Sequence, residues 1–194
     1  MALLFINKVP GDKIAFEAKV RSISNMLDID PNWLMFLINF ESDGTFSASV
    51  PNEYGCRGLI QFCPDKSGGN YKTISGRQYT MDQIASMTNV EQLDLVYDYL
   101  NERQGIGHKF YGFHDLYLAI LWPKAVGQDD DYVITTSTNP AFDIAPKDGI
   151  ITVGEVKRFL DERVAKTVPS EYQKEFKKKV LFSEYTKGKL SLAA

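Results

Sequence analysis

Glu41 stands at the end of a run, residues 32–40, that is almost wholly apolar. Three, four and seven positions before it come Ile38, Leu37 and Leu34, which share its face if the run is helical. A carboxylate therefore extends an apolar stripe. It does so at a helix C-terminus, where the macrodipole disfavours negative charge. Desolvation and the dipole both raise a carboxyl pKa, and an acid still protonated near neutral pH can serve as a general acid. The plainer alternative is a frayed last turn with Glu41 in water. Asp43, Glu53 and Asp65 are the nearby carboxylates. Asp43 lies two positions on and faces away if the helix continues, and none is a convincing partner for a two-carboxylate mechanism.

A second constellation lies near residue 148. The run Asp148-Gly149-Ile150-Ile151-Thr152-Val153-Gly154-Glu155 reads as the second half of an EF-hand loop, with Asp148 at position 5, Gly149 at 6 and Glu155 at 12. The first half departs from it: Ile144 and Pro146 occupy positions 1 and 3, and Asp143 falls one residue early. Asp143, Asp148 and Glu155 are thus candidate ligands for weakly held calcium, and no cofactor is required. Thr152 and Glu155 read equally as a capping box. His108 and His114 have no Cys or carboxylate cluster at ligand spacing, so no zinc site is read. Cys56 and Cys63 form neither a disulfide framework nor a four-ligand set. Two free thiols in a reducing compartment is the favoured reading, with pairing in an oxidising one as the alternative.

These residues need elements to hold them. Helical spacing of apolar residues predicts a helix over 14–27. Asp30 as N-cap and Pro31 in the first turn start the next, which Ser42, Asp43 and Gly44 stop. Residues 45–79 read as loops with at most a short hairpin. Helices are expected over 81–87, from the capping box at Thr88 and Glu91 to about 102, and over 114–122, ended by Pro123. A glycine-rich loop holding Gly105, Gly107 and Gly112 precedes the last of these. Residues 125–150 read as irregular. Thr152 caps a helix to about 165, and Pro169-Ser170 opens a final one to about 181. The expectation is a mainly α fold in which two helical blocks flank a loop-rich lobe.

Composition sets the outer bounds. The chain has 194 residues, 44% hydrophobic and 24% charged, enough for one domain with its own core. Disorder, collagen and a coiled-coil rod are excluded. No apolar run approaches the length a membrane helix needs. Residues 1–6 lead into Asn7 and Lys8 without a basic leader or cleavage site, so no cleavable signal peptide is expected. Net charge is −3, with the acidic excess in residues 1–151 and a basic balance in 152–194. The acidic body argues against a nucleic-acid-binding domain. The basic end suits an anionic surface, or is simply a solvated helix face.

Glu41-Ser42, followed by a polar segment and Gly58-Leu59-Ile60-Gln61, resembles the lysozyme-like superfamily. The likeness is to the group of soluble lytic transglycosylases and goose-type lysozymes, in a phage or bacterial branch. It is strongest over residues 27–63 and thins towards 125, giving a catalytic region over 1–125 and a helical extension over 126–194 packed on the same domain. The resemblance implies that Glu41 is the catalytic acid and later the base. Gln61 would hydrogen-bond the sugar or its N-acetyl group, and Ser42 would place the acid or the acetamido group. The group also has a later helix ending in Tyr-Asn-x-Gly, which this chain lacks. The corresponding stretch is 115–123, where Tyr117 or Trp122 is the candidate aromatic contact.

That resemblance implies cleavage of the β-1,4 bond between N-acetylmuramic acid and N-acetylglucosamine in bacterial peptidoglycan, with one acid rather than two. Attack by the substrate's own N-acetyl group leads to hydrolysis, and attack by its C6 hydroxyl gives a 1,6-anhydro sugar. A wall-cutting protein without a signal peptide fits a phage endolysin or a virion-associated lysin, expected as a monomer. Two other readings stand beside it: a non-catalytic glycan-binding or structural phage module with the same fold, and a calcium-responsive helical protein.

Overall fold

A computed structural model describes residues 2–104, 109–135, 141–143 and 147–177. Gly105, Gly107, His108, Ile144, Pro146 and residues 178–181 of the expected last helix lie outside the described residues. Among those described, seven α-helices and two small antiparallel sheets are present, so the chain is mainly helical, as expected. No helix there is long and apolar enough to cross a membrane.

Helix α1 (Lys13–Met26) starts at Asp12, whose carboxylate accepts from the N–H groups of Ile14 and Ala15. Helix α2 (Pro31–Glu41) is the centre of the molecule. Asp30 caps it by accepting from Asn32 N–H at 2.9 Å, and Pro31 needs no donor partner there. Asn32 through Ile38 are all buried, which explains the unbroken apolar run. The helix stops because Asp43 and Gly44 turn left-handed, at φ 50° and 73°. That turn lets Gly44 N–H donate back to Asn39 O at 2.7 Å.

The loop-rich lobe runs from Ser42 to the hairpin of β1 (Tyr71–Ile74) and β2 (Arg77–Thr80). Ser75 and Gly76 close that hairpin, both at positive φ. Helix α3 (Met81–Ser86) and helix α4 (Asn89–Gln104) follow, each opened by a threonine capping box, at Thr80–Gln83 and Thr88–Glu91. Helix α5 is Phe113–Leu121. The region read as irregular contains strand β3 (Val133–Thr135), which pairs with β4 (Ile151–Thr152). Each of these strands is too short to show alternation, and their pairing is non-local, so the sequence pattern does not display it.

Helix α6 (Val153–Thr167) and helix α7 (Ser170–Phe176) complete the described chain. They dock on the same core rather than standing apart. Phe176 packs edge-on against Phe36 of α2 and Phe113 of α5, at 5.4 and 5.0 Å between ring centroids. Trp33 Nε1–H donates to Glu175 O at 2.8 Å, and Tyr172 O–H donates to Ala2 O at 3.0 Å. One apolar cluster therefore runs from Leu3 to Phe176.

Candidate active site

The C-terminal end of α2 opens into a cleft of about 340 Å³. Its walls come from six places in the chain. Phe40 and Glu41 end α2, Asn52 and residues 60–63 belong to the loop lobe, Lys72 is on β1, Tyr99 is on α4, and Tyr117 and Ile120 are on α5. Phe142, from the segment after β3, closes one side.

Glu41 is partly buried, and its carboxyl makes no hydrogen bond or ion pair with a described residue. Burial alone pushes its pKa from 4.5 up to about 7. The side chain is thus an uncompensated acid, close to half protonated at neutral pH, facing a cavity. The Tyr117 hydroxyl is held protonated well above its ordinary range, first by burial and then by the negative charge of Glu41, with Arg163 acting the other way. Glu41 is the one acidic residue among the described residues lining the cleft. Asp43 is exposed outside it. Asp65 is tied to Lys72 at 3.1 Å and to Thr73 N–H at 2.8 Å; those contacts outweigh its desolvation and hold its carboxyl below the usual range.

Gln61 shares the cleft with Glu41. A tight turn holds it. Arg57 and Phe62 exchange both backbone hydrogen bonds, at 3.0 and 2.8 Å, and Gln61 sits inside the turn at φ 53°. Its Nε2 donates to Val50 O at 3.2 Å and Gly58 O at 3.0 Å. Two carbonyl partners fix which way the amide points, and Oε1 is left buried with no partner. A buried acceptor without a donor is costly, so this atom is suited to receive an N–H or O–H from a ligand.

Two further contacts hold the turn. Cys56 and Cys63 are joined by a disulfide across its base. This corrects the expectation of free thiols: the Arg57–Phe62 bridge sets the flanking residues opposite each other, a geometry that spacing alone does not reveal. Behind the turn lies Gln92 of α4, fully buried. It accepts from Leu59 N–H at 2.7 Å and donates to Ala48 O and Ile84 O at 2.9 and 2.8 Å. Gly58 sits at φ 84° against the Gln92 amide, which a β-carbon there would strike.

Of the other sequence candidates, Tyr117 lines the cleft, but its ring is core, edge-on to Phe40 at 5.6 Å, and only its polar end bears on Glu41. Ser42 is fully buried. Its hydroxyl donates to Ile38 O at 2.6 Å and accepts from Phe46 N–H at 3.0 Å, so it is taken up in shaping the helix end. Trp122 is 40% exposed and lies outside the cleft lining, because its φ of −155° takes it off the helix before Pro123. Besides Phe40, Tyr117 and Phe142, the cleft's aromatic surface includes Phe62 and Tyr99, packed edge-on at 5.8 Å. Neither they nor Asn52, Lys72 and Phe142 carry a signal in the sequence, since distant elements bring them in.

In the loop at 143–155, Thr152 and Glu155 form the capping box, with Glu155 Oε2 accepting from Thr152 N–H at 2.9 Å. That use of Oε2 competes with the bidentate grip an EF-hand glutamate gives. Asp143 Oδ2 accepts from Gly149 N–H at 3.1 Å, and Asp148 Oδ1 from Ile150 N–H at 3.0 Å. Asp143 Oδ1 and Glu155 Oε1 are buried without partners. Among the described residues no group of three His, Cys, Asp or Glu is gathered as a metal site. The donors therefore fit calcium only in part.

Compared with protein-family models, with curated proteins and with solved structures, the chain matches none.

Proposed function

We propose that this chain is a peptidoglycan-degrading glycosidase of the lysozyme or lytic transglycosylase type, with a lysozyme-like fold and Glu41 as its general acid and base. The observation that supports this most is the lone, half-protonated Glu41 carboxyl, without a protein partner, in one cleft with the orphaned Gln61 Oε1. Glu41 gives its proton to the glycosidic oxygen as the bond from C1 to that oxygen breaks. The substrate's own acetamido oxygen, or its C6 hydroxyl, supplies the electron pair to C1. Glu41, now a carboxylate, takes the proton from the attacking water or from that hydroxyl. A single acid suffices because no second cleft carboxylate is asked to act as nucleophile. Gln61 would accept from the acetamido N–H, while burial alone keeps Glu41 partly protonated and Tyr117 stays a neutral phenol beside it. The setting is a phage endolysin or virion-associated lysin acting as a monomer on the bacterial wall.

Mass spectrometry of digested peptidoglycan tests this. Reducing-end or 1,6-anhydro products from the wild type, absent with Glu41→Gln, are expected, and their masses separate the two outcomes. A wild type that binds glycan but releases no product removes the catalytic reading in favour of the glycan-binding phage module. Calcium at Asp143, Asp148 and Glu155 is a separate, weaker proposal supported by the two orphaned oxygens. It predicts that millimolar calcium raises Tm and that Asp148→Ala abolishes the rise; an unmoved Tm removes it.

A further inference from the structure

The helical extension contributes more than packing. Phe142 lines the cleft beside Phe40. Phe159 of α6 packs on both, at 4.9 Å from the Phe142 ring and 6.0 Å from the Phe40 ring. Arg163, one turn further along α6, lies over this aromatic group, 5.3 Å from the Phe159 ring and 5.9 Å from the Phe40 ring. It is exposed, and no carboxylate pairs with it among the described residues. Lys72, the cation within the cleft itself, is by contrast neutralised by Asp65.

We infer that Arg163, held on the Phe40–Phe142–Phe159 cluster at the rim of the Glu41 cleft, is a binding subsite for a carboxylate on the substrate. Stacking on the rings orients the guanidinium and leaves its edge free for the two parallel hydrogen bonds a carboxylate accepts. The Phe40 ring it lies over lines the cleft and belongs to the residue just before Glu41, so the subsite lies within range of the reacting end of the cleft. Burial is the cause of the Glu41 shift and Arg163 is not among its causes, so the cation is not spent on the acid. This rests on the glycosidase reading and narrows its substrate. The chain prefers glycans that bear carboxylates, either on the lactyl ether of the sugar or on its attached peptide, over neutral polymers of N-acetylglucosamine.

The test compares wild type, Arg163→Gln and Arg163→Lys on three substrates. They are intact peptidoglycan, amidase-stripped glycan with free lactyl carboxylates, and chitohexaose, which has none. Cleavage is followed, along with binding in the Glu41→Gln background. Arg163→Gln is expected to weaken binding to one or both carboxylate-bearing substrates about ten- to a hundredfold, chiefly in KM. Chitohexaose binding and Tm should stay unchanged, with partial recovery in Arg163→Lys. Which carboxylate-bearing glycan responds identifies the source of the group. Equal weakening on all three substrates, or none on any, overturns the subsite. Arg163-dependent binding without cleavage by the wild type supports the subsite and overturns the catalytic reading.

Discussion

Replacing Glu41 by Gln should stabilise the protein, and only above the pH at which an unfolded glutamate ionises. The folded pKa is raised from 4.5 to about 7. For an acid this sign means that the folded state binds more protons than the unfolded state between those values, so stability falls as pH rises through that window. Below about pH 4.5 the carboxyl is neutral in both states and costs nothing extra. Above about pH 7 it is charged in both, and the full penalty applies. At 1.36 kcal/mol per pH unit the penalty reaches about 3 kcal/mol. For a chain of this size that corresponds to roughly 6–12 °C in Tm. Gln matches the shape of the neutral acid and cannot ionise, so it escapes the penalty. The assay is urea denaturation of wild type and Glu41→Gln from pH 4 to pH 9, with peptidoglycan turnover measured on the same samples. The two proteins should be equally stable at pH 4, diverge between pH 4.5 and 7, and stay apart above it, while the variant loses turnover. A stability difference that does not change with pH would refute the argument by placing Glu41 in solvent, and one that grows in favour of the wild type as pH rises would refute it by placing Glu41 against a cation.

Other outcomes follow from the contacts around the cleft. Reducing the Cys56–Cys63 bond, or replacing Cys63 by Ser, should cost about 2 kcal/mol from the closed loop of the unfolded chain. It should also weaken glycan binding, because Gln61 lies inside the stapled turn; an unmoved urea midpoint under reductant would count against this. Gln92→Ala strands Leu59 N–H, Ala48 O and Ile84 O and should cost about 3–5 kcal/mol in the same measurement. Trp122→Ala should leave turnover within twofold, as the ring stands outside the cleft, and a large loss would return Trp122 to the site.

What could be read from the residues alone was the local part. Asp30-Pro31 and the Thr88 and Thr152 capping boxes mark helix starts through contacts spanning two or three residues, and each appears where expected. Glu41 was legible for the same reason, since its misfit is with its own helix. Gln61 became visible only through the family resemblance that Glu41-Ser42 and Gly58-Leu59-Ile60-Gln61 carry together. The remaining walls were not visible, because Tyr99 on α4 and Phe142 beyond β3 reach the cleft through tertiary packing that no sequence period encodes. The disulfide belongs with these. Its two cysteines face each other because Gly58 and Gln61 both take left-handed conformations in the intervening turn.

The misfit at Glu41 also explains why the surrounding structure is so firmly tied. An ionised carboxyl in a partly dry cleft favours either swinging outward or drawing in water, and both would relax its pKa towards the ordinary value. The Ser42 hydroxyl, bonded to Ile38 O and Phe46 N–H, fixes the last turn against the first movement. The turn at 57–62, clamped in front by the disulfide and behind by Gln92, fixes the facing wall against the second. A helix selected for packing alone would end this buried face in Leu or Ala. Here an acid costing about 3 kcal/mol of folding stability is retained inside supports that hold its surroundings in place. Strain of that kind, held in place by its neighbours, is what the proposed catalytic role of Glu41 would require.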